Sequence, residues 1–436
     1  MYKTIKPQNF SNREYFKNID FNFQVPYGYQ IRKNSMYIAT SMKIENYECN
    51  VNTVWEPSGI KYDINDNTTE YLFGQDMGSM YYDSAYLILN NKMVDKITDF
   101  SMISYYTRLL HESYNDLYYK NTDNSIILNN VFNAVNPTYG NNLVSRYYGF
   151  KPAPLPIALY VKNSVNLPFI NMHNNLPDGE YKLHIDVSRN YGSKMIVMIV
   201  NGNFSLSYNN LPINPTVGQN TALLFVDNIE LHYILDKIET PMPKEMRYDF
   251  LHMEIFNKPL NTTSLTYSFD LQLPSNLFAL MLSFRALNYD ETTKNSYTQK
   301  ENNANNSLKS FELIYNSQNL VFKKYYPLYD YSTDQGNNDC MRAYQEFLLN
   351  TSVLNGGKNN IVYGQWLSDP LYYFNLAGID NNRVSKLSVN LEFFNIAERD
   401  VECLITTFQN KSFKTIRNIS DNKLEIHTEE FNISNI

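Results

Sequence analysis

Apolar and polar residues alternate along many short segments of the chain. The clearest case is 181–188, where Tyr181, Leu183, Ile185 and Val187 occupy every second position and therefore share one face of an extended strand. The segment 387–393 alternates in the same way. Other strand-like segments are 35–44, 85–89, 223–235, 277–284, 311–315, 401–407 and 423–427. Many short strands separated by polar turns predict an all-β fold, either a sandwich or a barrel.

Two segments have the periodicity of a helix instead. One follows Asp99, and the other follows Asp339, which is predicted to cap the helix at its amino terminus. The apolar positions that define the two stripes are Ile103, Tyr106 and Leu110 in the first and Met341, Tyr344, Phe347 and Leu348 in the second. We expect each stripe to pack against a sheet.

The order of these elements repeats along the chain. In the first half, a hairpin that turns at Asn90 and Asn91 precedes a helix, and strands at 181–187 and 223–235 follow. In the second half, a hairpin that turns near Asn316 precedes the other helix, and two further strands follow. They are the strands at 387–393 and 401–407. A repeated order of elements predicts two similar β domains.

The domains are predicted to join in the proline-bearing stretch 239–244. This division gives an amino-terminal arm at 1–20, a first domain at 21–240 and a second domain with a carboxy-terminal tail at 241–436. Three long polar segments are expected to be surface excursions from the scaffold. They are 112–178, 290–308 and 323–339.

Composition and charge argue against several classes of function for this chain. The 436 residues carry a formal net charge of -7 and contain no basic block, so sequence-independent binding to nucleic acid is not expected. The amino-terminal sequence lacks the apolar core of a signal peptide. The longest apolar runs have about six residues, far fewer than the roughly 20 that a membrane helix needs.

The residues that carry chemistry are few and scattered. No phosphate-binding loop, nucleophile elbow or zinc-binding spacing occurs, so no catalytic residue, cofactor or metal ligand is predicted, and the chain is not expected to be an enzyme. His184 and His427 lie on the polar side of alternating strands and are expected to be solvated. Cys49, Cys340 and Cys403 form no disulfide framework, and Cys403 is expected to be a buried, unreactive thiol.

The second half resembles the carboxy-terminal domain of double jelly-roll major capsid proteins, of the type found in adintoviruses, Polinton elements and polinton-like viruses. A helix of the form Tyr-x-x-Phe-Leu matches at Tyr344, Phe347 and Leu348. A following Leu-Tyr-x-Phe-Asp-Leu segment matches at 371–376, with Asn375 in place of Asp. The final strands match at 387–393 and 401–408, and the first half fits the family's order more weakly.

The resemblance implies an all-β chain of two tandem jelly-roll domains, each an eight-stranded sandwich, with short helices in the loops. It implies a homotrimeric, pseudo-hexagonal capsomer of an icosahedral DNA virus shell. Its partners would be neighbouring capsomers, penton proteins and minor capsid proteins. The resemblance implies no specific nucleic acid as a partner, and it neither requires nor excludes an internal membrane. The implied location is the virion, after synthesis in the host cytoplasm and assembly in the cytoplasm or nucleus. Because the chain is compact for this family, its turret loops are expected to be short.

Other functions remain compatible with the same residues. A minor, hexon-like shell protein would share the fold. A tandem β-sandwich that binds glycans or a receptor would need exposed aromatic residues clustered in loops. A hydrolase built on a β-sandwich would need histidines or carboxylates that converge in a pocket.

Overall fold

In the computed structural model, the described residues include most of both β scaffolds. They are 1–9, 18–33, 35–46, 53–56, 59–64, 67–74, 82–111, 147–149, 159–166, 174–187, 196–200, 203–204, 222–239, 243–260, 264–286, 308–320, 334–352, 354, 361, 363, 366, 370–376, 385–393, 401–418 and 424–428. Neither helix in this part of the chain is long and apolar enough to cross a lipid bilayer.

The described elements are mostly strands. In chain order the strands are β1 (Tyr2–Ile5), β2 (Asn18–Val25), β3 (Tyr29–Ile31), β4 (Tyr37–Asn46), β5 (Thr53–Glu56), β6 (Gly59–Ile64), β7 (Asn67–Gly74), β8 (Tyr82–Leu89), β9 (Lys92–Thr98), β10 (Tyr147–Gly149), β11 (Leu159–Asn166), β12 (Gly179–Val187), β13 (Ile196–Val200), β14 (Asn203–Phe204), β15 (Ala222–Lys237), β16 (Glu245–Leu260), β17 (Thr266–Leu273), β18 (Leu277–Ala286), β19 (Leu308–Tyr315), β20 (Gln318–Asn319), β21 (Tyr372–Asn375), β22 (Ser385–Phe393), β23 (Val401–Arg417) and β24 (Leu424–Thr428). The helices are α1 (Phe100–His111) and α2 (Asp334–Thr351).

The first half folds as a jelly-roll. One sheet has the order β1-β15-β4-β11, and a second has the order β2-β12-β8-β9. When the eight strands are lettered B to I in chain order, these sheets read B-I-D-G and C-H-E-F, which is the strand order of a jelly-roll sandwich. All of these pairings are antiparallel.

The second half repeats that order strand for strand. Its sheets are β16-β23-β18-β21 and β17-β22-β19-β20, which again read B-I-D-G and C-H-E-F. Each domain also places a helix between strands F and G, and each I strand pairs with one extra strand, β3 in the first domain and β24 in the second. The predicted fold class, two tandem eight-stranded jelly-rolls with short helices in the loops, is confirmed.

Each domain buries its core between its two sheets. In β12, Tyr181, Leu183, Ile185 and Val187 are all buried, as the alternation predicts. Contacts between facing sheets hold the sandwiches closed: the rings of Phe23 and Tyr233 lie 5.1 Å apart in the first domain. In the second domain, those of Phe284 and Phe393 lie 5.9 Å apart. The aromatic and aliphatic side chains between the facing sheets therefore form the core of each domain.

The two predicted hairpins turn where the sequence indicates. Asn90 and Asn91 have φ angles of 47° and 62°, and Asn316 and Ser317 have φ angles of 47° and 64°. Two consecutive left-handed residues are typical of the type I′ turn, whose twist matches that of the flanking strands. Asparagine tolerates this conformation better than most residues, which explains why both turns contain it.

Several sequence-based boundaries differ from the structure. The segment 112–178, predicted as a surface excursion, contains β11, which pairs with β4 over eight positions. Asn163 interrupts the apolar alternation of β11 and hides the strand. The helix predicted to begin at Asp339 begins instead at Asp334, because its first turns are polar and carry no periodic signal. The other two predicted excursions lie outside the described residues, except where β19 and α2 begin.

Within the segment 1–20, β1 pairs with β15, and β2 begins at Asn18. The described part of the predicted arm therefore contributes strand B and the start of strand C to the first jelly-roll.

The resemblance implies short turret loops, but insertions in the first domain form a third sheet. Its order is β14-β13-β7-β6-β5, and β10 pairs with β7. These strands come from the connections between D and E, between F and G, and between H and I. Strands from three separate connections thus pair in one sheet.

A glycine fixes the approach of β12 to the first hairpin. Gly179 has a φ of +146°, and a Cβ added there would lie 2.7 Å from Leu89 Cδ1 and 2.8 Å from Asn90 Oδ1. We expect Gly179→Ala to lower the free energy of unfolding by about 2 kcal/mol or more, because strain and overpacking add.

Urea denaturation of the purified protein measures this loss. Gly28→Ala is the matched control, because Gly28 also has a positive φ, +81°, but its added Cβ would meet nothing within 4 Å. Equal losses in the two variants would show that the close approach to the hairpin contributes nothing.

Candidate functional site between the two domains

The titratable groups of the described residues form no metal-binding cluster. Within these residues, no three His, Cys, Asp or Glu side chains are placed to hold a metal ion. Cys403 is fully buried, as predicted, and His427 is half exposed, so its predicted solvation is confirmed.

The prediction for His184 is wrong, because its side chain is buried. Nδ1 of His184 lies 2.7 Å from Asp20 Oδ1, and Nε2 lies 3.2 Å from Asp186 Oδ1. The imidazole stacks on Tyr86, with ring centroids 4.4 Å apart. Asp20 on β2 and Tyr86 on β8 stand opposite His184 in the strand register, so neighbouring strands cover it. Both ring nitrogens face carboxylates, which makes this histidine a structural link across the outer surface of the sheet.

A set of buried polar contacts lies instead at the junction of the two domains. Strand β9 and helix α1 of the first domain pack against β16 of the second, and β9 also contacts β24. The first domain therefore uses its F strand and the helix after it, whereas the second uses strand B and the strand added beside strand I. The two surfaces are different parts of the same fold.

A buried ion pair joins the domains at one end of this junction. Arg417, the last residue of β23, donates from Nη2 to Oδ1 of Asp178, which immediately precedes β12. Each side chain is only 8% exposed. The guanidinium also lies 4.8 Å from the centre of the Tyr27 ring, in a cation–π geometry. An arginine so enclosed depends on its carboxylate, because an unpaired buried charge is costly.

A second charged cluster lies further along the junction. His252 Nδ1 on β16 is 2.7 Å from Asp95 Oδ1 on β9, and these side chains are 5% and 2% exposed. The two side chains meet in close contact without a hydrogen bond of good geometry. Lys411, on β23, completes the cluster: burial lowers the pKa of Lys411, and the carboxylates of Asp95 and Glu254 oppose that effect.

Neutral hydrogen bonds complete the contact. The hydroxyls of Tyr106 on α1 and Ser283 on β18 lie 2.7 Å apart and are both buried. Asn90 donates from Nδ2 to the carbonyl oxygen of Leu424 at 2.9 Å. Because polar contacts occur at several separate points, the junction fixes the position and the angle of one jelly-roll against the other.

Tyr248 makes the junction sensitive to alkali. Burial raises the pKa of Tyr248 to about 12, so the folded chain keeps this phenol neutral where the unfolded chain would ionise it. The stabilisation is complete below pH 10 and is lost as the pH rises toward 12. We expect the unfolding free energy to fall in that window by up to about 1.4 kcal/mol per pH unit from this residue.

The variant Tyr248→Phe tests this expectation in urea titrations at several pH values. The stability curves of wild type and variant should run parallel below pH 10 and diverge above it, with the variant falling less steeply. Parallel curves throughout would contradict the assignment.

Sequence reasoning missed all of the charged residues at this junction. Asp178 lies in the Pro177-Asp178-Gly179 sequence, which is typical of a turn, and no pattern in the sequence marks Asp95. Arg417 lies 239 positions from Asp178 along the chain, and no local pattern pairs residues at that separation.

Comparison with known proteins supports the fold alone. No family model matches the chain, and no curated protein matches its sequence. Among solved structures, the mavirus major capsid protein superposes with a TM-score of 0.56 at 10% identity, covering 98% of this chain and 90% of that one.

Two further structures superpose in the same way. A chain of the Sputnik virophage structure gives a TM-score of 0.56 at 11% identity, covering 100% of this chain and 90% of that one. The Faustovirus major capsid protein gives 0.53 at 10% identity, covering 94% and 90%. The chain thus has the double jelly-roll fold of these structures.

Proposed function

We propose that the chain is a major capsid protein that builds the shell of an icosahedral DNA virus as a homotrimeric, pseudo-hexagonal capsomer. The observation that carries the proposal is the pair of jelly-rolls with identical strand order, which superposes end to end on the mavirus major capsid protein. Two similar wedges in one chain become six when three chains assemble about a threefold axis, and six wedges make a near-hexagonal tile.

The junction between the domains supports this role. A tile must keep its shape while its edges bind neighbouring tiles, so the two wedges of a chain need a fixed angle. The buried Arg417–Asp178 pair and the Asp95–His252 contact supply attachments at separate points along the junction. A binding module with independent domains would not need buried charge between them.

The finer parts of the proposal follow from the resemblance of the second half. The subgroup is the adintovirus, Polinton and polinton-like type, and the location is the virion. Neighbouring capsomers, penton proteins and minor capsid proteins are the partners, and the chain performs no catalysis. We place the domain boundary between Lys237, where β15 ends, and Glu245, where β16 begins, beside the predicted division at 240.

Size-exclusion chromatography with light scattering tests the assembly state. The proposal predicts a species of three times the 51.0 kDa of one chain. A monomer that persists across assembly conditions, together with saturable binding on a glycan array, would favour the glycan-binding alternative and overturn the capsid proposal.

A further inference from the structure

The buried carboxylate of Asp95 lacks a complete set of hydrogen-bond partners. Its Oδ1 lies 2.7 Å from Nδ1 of His252 and accepts a hydrogen bond of 2.9 Å from the backbone N–H of Lys96. Its Oδ2 is buried and has no hydrogen-bond partner within the described part of the chain. An ionised carboxylate accepts at both oxygens, and a buried acceptor without a donor is costly. This side chain therefore needs a further partner.

The strand register brings a lysine toward this carboxylate. Strands β16 and β23 pair in continuous register, and Lys411 stands opposite Phe250. The next residue on that face of β16 is His252, which contacts Asp95 on β9. Lys411 and His252 are therefore diagonal neighbours on one face, about 7–8 Å apart, a gap that a long side chain can span. The Lys411 amine can thus reach the carboxyl group of Asp95.

A second carboxylate lies beside the same lysine. Glu254 follows His252 by two positions on β16, so the alternation of a strand turns both side chains to the same face. Burial lowers the pKa of Lys411, and the charges of Asp95 and Glu254 only partly offset that effect. A lowered pKa favours the neutral amine, which is the nucleophilic form of lysine.

We propose that Lys411 and Asp95 form an isopeptide bond that joins the two domains covalently. The cluster holds an amine, a carboxyl group and two further groups that can move protons, and it holds them close together and largely away from water. Proximity and proton transfer are what amide formation between two side chains requires. The bond also replaces a buried ammonium and a buried carboxylate with one neutral amide, which lowers the cost of burying them.

The reaction releases one water molecule and needs no other reactant. The Lys411 ammonium gives a proton to His252 and becomes a neutral amine, whose Nζ forms a bond to Cγ of Asp95. The bond from Cγ to Oδ1 then breaks. Oδ1 leaves as water with two protons, one returned by His252 and one passed from Nζ through Glu254. His252 and Glu254 end in their starting states, and the reaction occurs once in each chain.

The bond would link β9 of the first domain to β23 of the second at a point separate from the Arg417–Asp178 pair. It goes beyond the proposed capsid function and does not depend on the trimer, because both residues belong to one chain. Its effect would be to make the position of the two jelly-rolls irreversible once the chain has folded.

Intact-mass spectrometry of the denatured chain tests the bond. We expect the wild-type mass to be lower than the mass calculated from the sequence by one water molecule. Peptide mapping after proteolysis should give a branched peptide that contains both Asp95 and Lys411. A wild-type mass equal to the calculated mass would overturn the proposal.

The variant Lys411→Arg identifies the amine. It keeps the positive charge, but a guanidinium stays protonated and does not attack a carboxyl group, so the missing water should be restored. Lys414→Arg is the matched control, because Lys414 lies on the same strand, is 41% exposed and faces Glu245 at 3.8 Å. It should lack the water as the wild type does. A mass deficit that persists in Lys411→Arg, as ring closure at an aspartate would give, would overturn the assignment.

Cleavage between the domains gives a second readout in the folded protein. A protease recognition site inserted in the 239–244 connection allows the chain to be cut there, and the new amino terminus confirms the cut. After cleavage, the two halves should stay joined on a denaturing gel in the wild-type background and separate in Lys411→Arg. Two separate halves from the wild-type background would overturn the isopeptide bond and leave the capsid proposal standing, since neither readout depends on trimer formation.

Discussion

Asp178→Ala is expected to lower the free energy of unfolding by about 3–5 kcal/mol, because it removes the carboxylate that the buried Arg417 guanidinium contacts in the junction between the domains. Both side chains are almost fully buried, so water cannot replace the lost carboxylate. The loss should appear as a lower midpoint in urea denaturation followed by tyrosine fluorescence. It should also loosen the two domains, which limited proteolysis at the 239–244 connection would detect.

Asp236→Ala is the matched control for this prediction. Asp236 accepts two hydrogen bonds from Arg32, at 2.9 and 2.7 Å, but the Arg32 side chain is 52% exposed. Its loss should cost at most about 1 kcal/mol, as for other surface ion pairs. A double variant, Asp178→Leu with Arg417→Met, should recover most of the Asp178→Ala loss. Equal effects at Asp178 and Asp236 would contradict the importance assigned to the junction.

Phe311→Ala is the second large effect that we expect, at about 3–5 kcal/mol. Phe311 is 1% exposed in the centre of the second sandwich, where its ring lies 4.7 Å from that of Tyr372 and 6.0 Å from that of Phe374. Truncation removes the ring and leaves a cavity that rigid strands on both sides cannot fill.

Phe269→Ala is the control for Phe311 in urea denaturation. Phe269 lies on β17, an edge strand of the same sheet, and is only partly buried. Its side chain already borders solvent, so the surroundings can relax, and the loss should be well below that at Phe311. A larger loss at Phe269 would mean that the core of the second domain is not where the sheets meet.

The strands that the sequence predicts are those with one face buried. In β12 and β22, every second residue enters the core, so apolar and polar residues alternate in the sequence. The turns at Asn90 and Asn316 were predictable for a related reason, since few residues accept the left-handed conformation that a tight hairpin requires.

Other strands are not among those predicted from the sequence, and only some of them lack the alternation. Strand β16 alternates between buried and partly buried residues from Tyr248 to His252, but it buries both His252 and Met253, and the alternation ends there. Strands β2 and β17 do alternate, at Phe21 and Phe23 and at Tyr267 and Phe269, and their omission from the predicted strands was avoidable.

The junction could not be predicted for a different reason. Its contacts join residues far apart in the chain, such as Asp95 with His252, and the partner of a buried charge is decided by tertiary packing. The sequence contains these residues but does not indicate which of them come into contact. The repeated order of elements predicted two domains, but the surfaces through which they meet became visible only when the strands were placed.

Electron microscopy of the purified, assembled protein tests the central claim most directly. The account predicts near-hexagonal particles in which three copies present six upright β-sandwiches, alternating between first and second domains around the ring. Averages with a single sandwich per chain, or particles that do not contain three copies around a threefold axis, would contradict it.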